Sequence, residues 1–209
     1  MFLFLCLLCD SVVSHAGDLI EVDYIYDGDT IRLKDGRHVR FIGINTPEIQ
    51  HRESDGSLKP AEQFGEAARQ YLAKRIVHSN VRIETDREQQ DHYQRSLAYV
   101  FLPDGSFINE EMVSQGLAYC LYKHPNDRYA DRLLLAQQAA MQTKKGIWGS
   151  RAIHGADSSC IGNVRSRRFH SPDCAQGKKI HSKNRISFAR MYDAFYAGYA
   201  PCKRCIVMP

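Results

Sequence analysis

The stretch from residue 27 to residue 48 places carboxylate, amide and guanidinium side chains at the two ends of a predicted β-hairpin. Apolar residues alternate partly with polar ones on both sides of Asp35-Gly36, and an Asp-Gly pair between two such runs is a strong hairpin signal. A hairpin would bring its ends, and the polar side chains on them, side by side. These side chains are Asp29, Arg40, Asn45 and Glu48. Because oxygen ligands suit a hard cation and a guanidinium suits phosphate, the hairpin predicts a site for both.

A simpler interpretation of the same residues is also open. Asp27-Gly28-Asp29 is compatible with a plain turn. Thr46-Pro47-Glu48 is compatible with a helix start, in which Thr is the cap and Pro lies in the first turn. Neither motif alone decides between a functional site and an ordinary turn followed by a helix start.

The order of the motifs favours a site. Asp-Gly-Asp-Thr at residues 27–30 is followed by Arg40, then by Asn-Thr-Pro-Glu at residues 45–48, and later by a strand segment with Arg95. In this order the chain resembles the staphylococcal nuclease family over about residues 18–148.

That resemblance implies an α+β, mainly β fold, namely a five-stranded Greek-key barrel of the oligonucleotide-binding (OB) type with about three helices. The hydrophobic pattern gives a compatible order of three strands, a helix, two strands and two helices, although order alone would also allow another α+β sandwich. We expect residues 50–59 to be irregular and the first helix to open at Pro60. Asn109 is expected to cap the second helix, and Asn126 or Asp127 the third.

The resemblance further implies a calcium-dependent nuclease that cuts DNA or RNA and leaves 3′-phosphate ends. The implied catalytic residues are Arg40, Glu48 and Arg95, and the implied calcium ligands are Asp29, Asn45 and the backbone carbonyl of Thr46. Attack on a phosphodiester builds negative charge on the phosphate oxygens, which two guanidiniums and a divalent cation can stabilise. Glu48 corresponds to the carboxylate that activates or orients the attacking water.

Asn45 departs from the family pattern, which usually has Asp at this position. Asn keeps one oxygen but loses the charge, and calcium affinity depends on the charge of the ligands. We therefore expect a nuclease that needs more calcium. The alternative is a non-catalytic nucleic-acid-binding module whose metal site has decayed, although such a binder would have little need for Glu48.

The assignment of Arg95 depends on the segment from Asp91 to Tyr99, which resembles the corresponding family segment. Gln94 replaces a glycine common there, which we expect to affect the local backbone. Tyr93 is a candidate substrate-binding residue, because aromatic rings stack on any base. An ordinary tyrosine at the end of a strand is the other interpretation.

The charge is unevenly distributed along the chain. Residues 160–209 contain ten Lys or Arg against two Asp, while the rest of the chain carries an excess of four acidic residues. Such a basic tail is typical of proteins that bind an anionic polymer, here DNA or RNA, although plain solvated charge is the simpler interpretation. The residues expected to grip phosphates are Arg165, Arg167, Arg168, Lys178, Lys179, Lys203 and Arg204.

Histidine and cysteine in the same tail have the spacing of a zinc site. His170 and Cys174 form one pair, and Cys202 and Cys205 form a C-x₂-C pair, so that the four could bind zinc tetrahedrally. A segment of about fifty residues with few large apolar side chains cannot build much of a hydrophobic core, so its fold needs an additional stabilising element such as a bound metal. The segment 162–205 resembles the zinc-binding domain of the Ada DNA-repair protein, where a cysteine stands at the position of His170. Because methyl transfer in that protein uses the cysteine, we expect a structural zinc here.

Disulfides are the alternative for these cysteines if the chain is exported. Cys160 is then a possible partner of Cys120, or else a zinc ligand in its own right. The seven cysteines include Cys6 and Cys9, which lie in an apolar run near the N-terminus.

That apolar run predicts a signal peptide over residues 1–16, because it is too short to span a bilayer and Ser14-His15-Ala16 resembles a cleavage site. A basic n-region is missing, and a buried N-terminal strand or helix is the alternative. The expected organisation is then a nuclease domain at 17–149, a linker at 150–159 and a zinc domain at 160–209. We expect a secreted or periplasmic protein that is not inserted in a membrane after the leader is removed.

Overall fold

The computed structural model describes residues 18–52, 55–150, 153 and 159–206. The predicted leader lies outside the described residues, as does most of the predicted linker. The described strands are β1 Ile20–Ile25, β2 Thr30–Leu33, β3 His38–Phe41, β4 Ile44–Asn45, β5 His51–Arg52, β6 Leu58–Lys59, β7 Asn80–Glu84, β8 Ser96–Phe101, β9 Tyr119–Cys120, β10 Cys160–Asn163, β11 Arg168–His170, β12 Arg185–Phe188 and β13 Ala200–Pro201. The described helices are α1 Gly65–Ile76, α2 Ile108–Ser114, α3 Ala130–Gln142, α4 Ala175–Lys178 and α5 Met191–Tyr196, with 3₁₀ helices at Gly146–Gly149 and Ser182–Asn184.

Five strands close into a barrel in the order β1-β2-β3-β8-β7, which confirms the predicted five-stranded barrel. β2 and β3 form the predicted hairpin, with Thr30 opposite Arg40. β3 then runs parallel to β8, with Arg40 opposite Leu97. This register places Arg40 at the same end of the hairpin as the turn before Thr30, and it places the start of β8, which follows Arg95, beside β3.

The hairpin has a rigid base because its apolar face is buried. Ile31, Leu33 and Val39 have no exposed surface, and neither do Leu72 and Ile76 of α1, which belong to the same hydrophobic core. Burial of one such side chain contributes about 1.5–3 kcal/mol to the free energy of folding. The alternation of apolar residues seen in the sequence thus holds the polar end of the hairpin in place.

Two predicted helix caps are wrong. Asn109 is fully buried inside α2, where its Oδ1 accepts the backbone N–H of Val100 at 3.0 Å and its Nδ2 donates to the carbonyl of Ile42 at 2.8 Å. Asn126 pairs with the backbone of Glu88, donating to its carbonyl at 2.7 Å and accepting its N–H at 2.8 Å. Both asparagines satisfy backbone groups of distant segments, which a local capping pattern does not reveal.

The segment before α1 also differs from the prediction. Residues expected to be irregular include a short hairpin of His51–Arg52 and Leu58–Lys59, and α1 begins at Gly65 rather than at Pro60. A Cβ on Gly65 would lie 2.4 Å from the carbonyl oxygen of Glu48. Glycine therefore allows the first turn of α1 to approach the backbone of Glu48, in the segment that follows β4.

A second sheet follows residue 159, with strands in the order β12-β10-β11-β13. It shares a hydrophobic cluster with residues between Tyr119 and Trp148, centred on Phe195 of α5. The Phe195 ring centroid lies 5.1 Å from that of Trp148, 5.0 Å from that of Phe169 and 5.7 Å from that of Tyr119. Edge-to-face packing of this kind adds to the burial of the rings.

A buried glutamine fastens the two sheets further. Gln137 of α3 is fully buried, its Nε2 donates to the carbonyl of Phe195, and its Oε1 accepts the backbone N–H of Cys120, both at 2.6 Å. One side chain thus joins α3 to strand β9 and to helix α5, which packs with the second sheet.

Within the described ranges, we find no helix with both the length and the apolar composition needed to cross a membrane.

Candidate functional site

A buried ion pair lies at the polar end of the β2–β3 hairpin. Nη2 of Arg40 is 3.0 Å from Oδ2 of Asp29 and 3.1 Å from Oδ1 of Asn45. Nη1 of Arg40 donates to the backbone carbonyls of Phe41 at 2.9 Å and Ile44 at 3.1 Å. Both sides of the guanidinium are therefore held by oxygen atoms from the hairpin and the residues that follow it.

Thr46 and Asn45 complete a network around Asp29. The backbone N–H and the hydroxyl of Thr46 donate to Oδ2 of Asp29 at 2.8 and 3.1 Å. Nδ2 of Asn45 donates to the carbonyl of Thr46 and to the hydroxyl of Tyr119, both at 2.9 Å. A Cβ on Gly28 would lie 2.7 Å from Cγ2 of Thr46, so glycine is needed where the Asp-Gly-Asp turn meets this residue.

Asp27 is a member of this site that the sequence prediction missed. Its Oδ1 accepts the backbone N–H of Asp29 at 2.9 Å. Burial and the neighbouring charge of Asp29 raise the pKa of Asp27 to about 7. The Asp-Gly-Asp motif contained the signal, since its two carboxylates lie two residues apart on one turn.

The chemistry of these donors fits a hard cation. Asp27, Asp29 and Asn45 line one cavity, and carboxylate and amide oxygens are the ligands that calcium takes. Burial is the main cause of the raised pKa of Asp27, the charge of Asp29 adds to it, and Arg40 offsets it only in part. The predicted calcium ligands Asp29, Asn45 and Thr46 are thus brought together, and a cation there would relieve their repulsion.

Arg95 is held beside the site by Asp91. Its Nε and Nη2 lie 2.8 and 2.7 Å from Oδ2 of Asp91, whose Oδ1 accepts the backbone N–H groups of Tyr93 and Arg95. Burial works against ionisation of Asp91, but these hydrogen bonds hold its pKa below the ordinary value. Gln94 has a φ of 63°, so the turn keeps the left-handed conformation that glycine favours.

Tyr93 lies at the surface, with 69% of it exposed. Its ring centroid is 5.4 Å from the guanidinium carbon of Arg95 and 3.8 Å from the ring centroid of His92. Tyr93 therefore has a free face close to Arg95 without lining the cavity described next.

Glu48 contacts both the segment before α1 and the C-terminal region. Its backbone N–H donates to the carboxylate of Glu62 at 2.9 Å, and its own Oε1 accepts from Nζ of Lys203 at 2.7 Å. Burial alone would raise the pKa of Glu48, but the ammonium of Lys203 holds it below its ordinary value. Lys203 lies 155 residues from Glu48 along the chain, and nothing in the sequence indicated the contact.

These groups line one cavity of about 380 Å³. The predicted site residues that line it are Asp29, Arg40, Asn45, Glu48 and Arg95. Asp27, Asp91, His92, Lys123 and Lys203 also line it and were not predicted as members of this site. The carboxylates of this cavity can bind a cation, and its guanidiniums can bind an anion. The remaining carboxylate, that of Glu48, is influenced by the positive charges of Lys203 and Arg40.

The family model described as "Staphylococcal nuclease homologue" matches residues 38–150, more than half of the chain. The chain belongs to the staphylococcal nuclease family. It is 36% identical over 129 residues to a thermonuclease of Staphylococcus hyicus, covering 60% of this chain and 73% of the relative. It is 38% identical over 135 residues to a thermonuclease of Staphylococcus intermedius, covering 63% and 77%. The predicted family membership and barrel are thereby confirmed.

The match to a third relative extends beyond residue 150. Endonuclease YhcR of Bacillus subtilis is 29% identical over 198 residues, covering 85% of this chain and 16% of the relative. A match over 85% of the chain includes part of the region after residue 150. This nuclease thus shares some of its C-terminal region with that endonuclease.

The C-terminal sheet brings the four predicted zinc ligands together. The ligand atoms of His170, Cys174, Cys202 and Cys205 all lie within 4.8 Å of one another. Ligands of a tetrahedral zinc site lie roughly 3.5–4 Å apart when the bonds are about 2.0–2.3 Å long. Burial and the charge of Arg168 lower the pKa of His170, which favours the neutral imidazole that binds metal. The donor set and its spacing therefore fit zinc.

Cys120 and Cys160 lie outside this cluster. Both are buried, and neither they nor the other described cysteines form a disulfide. The predicted alternatives, a Cys120–Cys160 disulfide or Cys160 as a zinc ligand, are not found. Burial raises the pKa of Cys120 to about 12 and that of Cys160 to about 11, so both are neutral thiols.

Proposed function

We propose that this family member is a calcium-dependent endonuclease that hydrolyses phosphodiester bonds of DNA, RNA or both and leaves 3′-phosphate ends. The observation that carries the proposal is the single cavity that Asp29, Arg40, Glu48 and Arg95 line together. The relatives named as thermonucleases and as an endonuclease support the same reaction.

In this proposal Arg40 and Arg95 bind the scissile phosphate. Their guanidiniums are fixed by Asp29 and Asp91 before substrate arrives, so little reorganisation is needed when charge develops on the phosphate oxygens. Glu48 accepts a proton from the attacking water, or orients that water, opposite the departing 5′ oxygen. The lowered pKa of Glu48 keeps it ionised, as a base must be. Tyr93 offers an exposed ring on which a neighbouring base can stack.

Asp29, Asn45 and the carbonyl of Thr46 would hold calcium, with Asp27 as a further carboxylate beside them. Bound calcium would supply positive charge against the phosphate oxygens. Asn45 contributes a neutral oxygen where the family usually has a carboxylate, so we expect weaker calcium binding than in a site with Asp.

Digestion of DNA and RNA across a calcium series tests this function. We expect cleavage that chelation with EGTA abolishes and products whose 5′-hydroxyl ends accept a labelled phosphate without prior dephosphorylation. Glu48→Gln and Arg95→Lys should each lower kcat by at least about 100-fold. Glu110→Gln and Arg132→Lys, which alter an arginine–carboxylate pair outside the cavity, are the matched controls.

A non-catalytic nucleic-acid-binding module is the second candidate, and the neutral Asn45 is the observation that favours it. In that case DNA or RNA would bind at every calcium concentration and remain intact. Such a result with correctly folded protein would reject the nuclease proposal.

We also propose that the C-terminal domain binds a structural zinc ion and adds basic surface for nucleic acid. Purified protein should contain one equivalent of zinc, and a zinc-selective chelator should lower its melting temperature. Absence of zinc from folded protein would contradict this. The leader over residues 1–16, and with it a secreted or periplasmic location, stays a prediction that N-terminal sequencing of exported protein can check.

A further inference from the structure

Lys203 is the member of the predicted phosphate-gripping set that lines the nuclease cavity. Its Nζ lies 2.7 Å from Oε1 of Glu48, and it lines the same cavity as Arg40 and Arg95. Other members of that set are engaged elsewhere. Arg167 lies over the ring of Tyr122 at 4.6 Å, and Nη1 of Arg168 donates to the backbone carbonyl of Pro201 at 3.4 Å.

The backbone that carries Lys203 is fixed. Lys203 follows Cys202 in the turn between the two cysteines of the cluster, and the N–H of Cys202 donates to the carbonyl of Phe169 at 2.9 Å. Phe169 in turn packs in the cluster shared by both domains. The second sheet therefore sets the position of the lysine backbone, while the side chain of Lys203 remains 61% exposed.

The cavity continues past Lys203. A second cavity of about 90 Å³ is lined by Lys203 together with Asn45, Glu48 and Lys59. A nucleic-acid strand that leaves the Arg40–Arg95 position in this direction passes the ammonium group of Lys203. The next phosphate of that strand would meet the ammonium group of Lys203, which pairs with the carboxylate of Glu48 when no substrate is bound.

We propose that Lys203 is a substrate-binding residue of the nuclease site, supplied by the C-terminal domain, and that it binds the phosphate next to the scissile one. The inference rests on the proposed function, because it assumes that the phosphate at Arg40 and Arg95 is the one that is cleaved. The contact between Lys203 and a polynucleotide can nevertheless be measured without cleavage. An exposed lysine can exchange Glu48 for a phosphate oxygen at small cost, because both partners are anions that accept the same hydrogen bond. The exchange also frees Glu48 to contact water.

The test compares Lys203→Met and Lys203→Arg with Lys183→Met, which removes the same charge from an exposed site of the same domain. Binding of a fluorescent single-stranded oligonucleotide is followed by anisotropy in EGTA, where no cleavage occurs. We expect Lys203→Met to weaken binding about tenfold, as for loss of one hydrogen bond to a charged group. The slope of log affinity against log salt should fall by about 0.7, the value for one phosphate contact on a single strand.

Cleavage gives the second reading. With oligonucleotides, Lys203→Met should raise KM more than it changes kcat, whereas a dinucleoside monophosphate, which has no neighbouring phosphate, should be cut as by the native protein. Lys203→Arg should restore both binding and KM, while Lys183→Met should leave them unchanged.

Three outcomes overturn the inference. If Lys203→Met and Lys183→Met bind the oligonucleotide equally well, Lys203 forms only the ion pair with Glu48 and does not bind substrate. Tighter binding or a higher kcat in Lys203→Met would mean that the lysine blocks Glu48. Equal loss on both substrates would place Lys203 at the scissile phosphate. If the native protein cuts nothing, the proposed function fails, and the anisotropy result still decides whether Lys203 contacts the polynucleotide.

Discussion

Asp91 binds Arg95 through one carboxylate oxygen and the backbone of the same turn through the other. The Nε and Nη2 atoms of Arg95 lie 2.8 and 2.7 Å from Oδ2, while Oδ1 accepts the N–H groups of Tyr93 at 2.9 Å and Arg95 at 3.0 Å. The side chain and backbone of Arg95 are thus positioned by a single residue.

Asp91→Asn should therefore lower activity without unfolding the protein. The amide oxygen can still accept the backbone N–H groups, but the charge that orients the guanidinium is lost. We expect kcat to fall about 10- to 100-fold, the effect of a misplaced catalytic group. The double variant Asp91→Asn with Arg95→Lys should be little worse than Arg95→Lys alone, because both act through one guanidinium. Fully additive losses would show that Asp91 has a separate role.

The stability contributed by Asp91 should depend on pH in a defined direction. Its pKa is lowered from the ordinary value of 3.8, so its contribution is present above about pH 4 and is lost as pH falls through the lower folded value. The difference in free energy of unfolding between native protein and Asp91→Asn should be about 1–2 kcal/mol at pH 6. Urea denaturation at pH 6 and pH 3 measures it, and a difference that grows on acidification would contradict the assignment.

Asn45→Asp should change the calcium response. Without calcium the new carboxylate would face the carbonyl of Thr46, to which Nδ2 of Asn45 now donates, so we expect a lower melting temperature. With calcium the added charge should lower the concentration for half-maximal activity several-fold. Asn163→Asp adds the same charge on β10, away from the cavity, and serves as the control. An unchanged calcium half-saturation would remove Asn45 from the ligand set.

Gln94→Gly should stabilise the turn before β8. Gln94 is exposed and has a φ of 63°, a conformation that costs a residue with a Cβ about 1–2 kcal/mol. Glycine avoids this cost but loses entropy on folding, so the net gain in free energy of unfolding should be about 1 kcal/mol or less. Thermal unfolding measures the gain, and Gln89→Gly outside the left-handed turn should show none.

The barrel was predicted from the family resemblance, because the order of strands and helices alone also allowed another α+β sandwich. Most of the polar end of the hairpin is encoded locally. Alternating apolar residues around Asp35-Gly36 predict the hairpin, and the hairpin carries Asp29 and Arg40 to one place. Arg95 required the family resemblance, because β8 lies far along the chain and pairs with β3 only in the folded barrel.

Other parts of the site could not be predicted for a physical reason. Asn109 and Asn126 have the composition of caps, but their amides bind the backbone of distant segments. Contact between Lys203 and Glu48 depends on how two sheets pack, which no periodicity within either sheet encodes.

The buried amide of Gln137 has a consequence for how this chain can be divided. It joins the backbone of Cys120, in the strand paired with Asn45, to the backbone of Phe195 in α5, which packs against Phe169 of the second sheet. Removing the second sheet would leave a buried polar group unpartnered and uncover the aromatic surface around Trp148. The C-terminal region is therefore part of the packed interior next to Asn45, and an unrelated domain could replace it only if the surface around Gln137 and Trp148 changed as well.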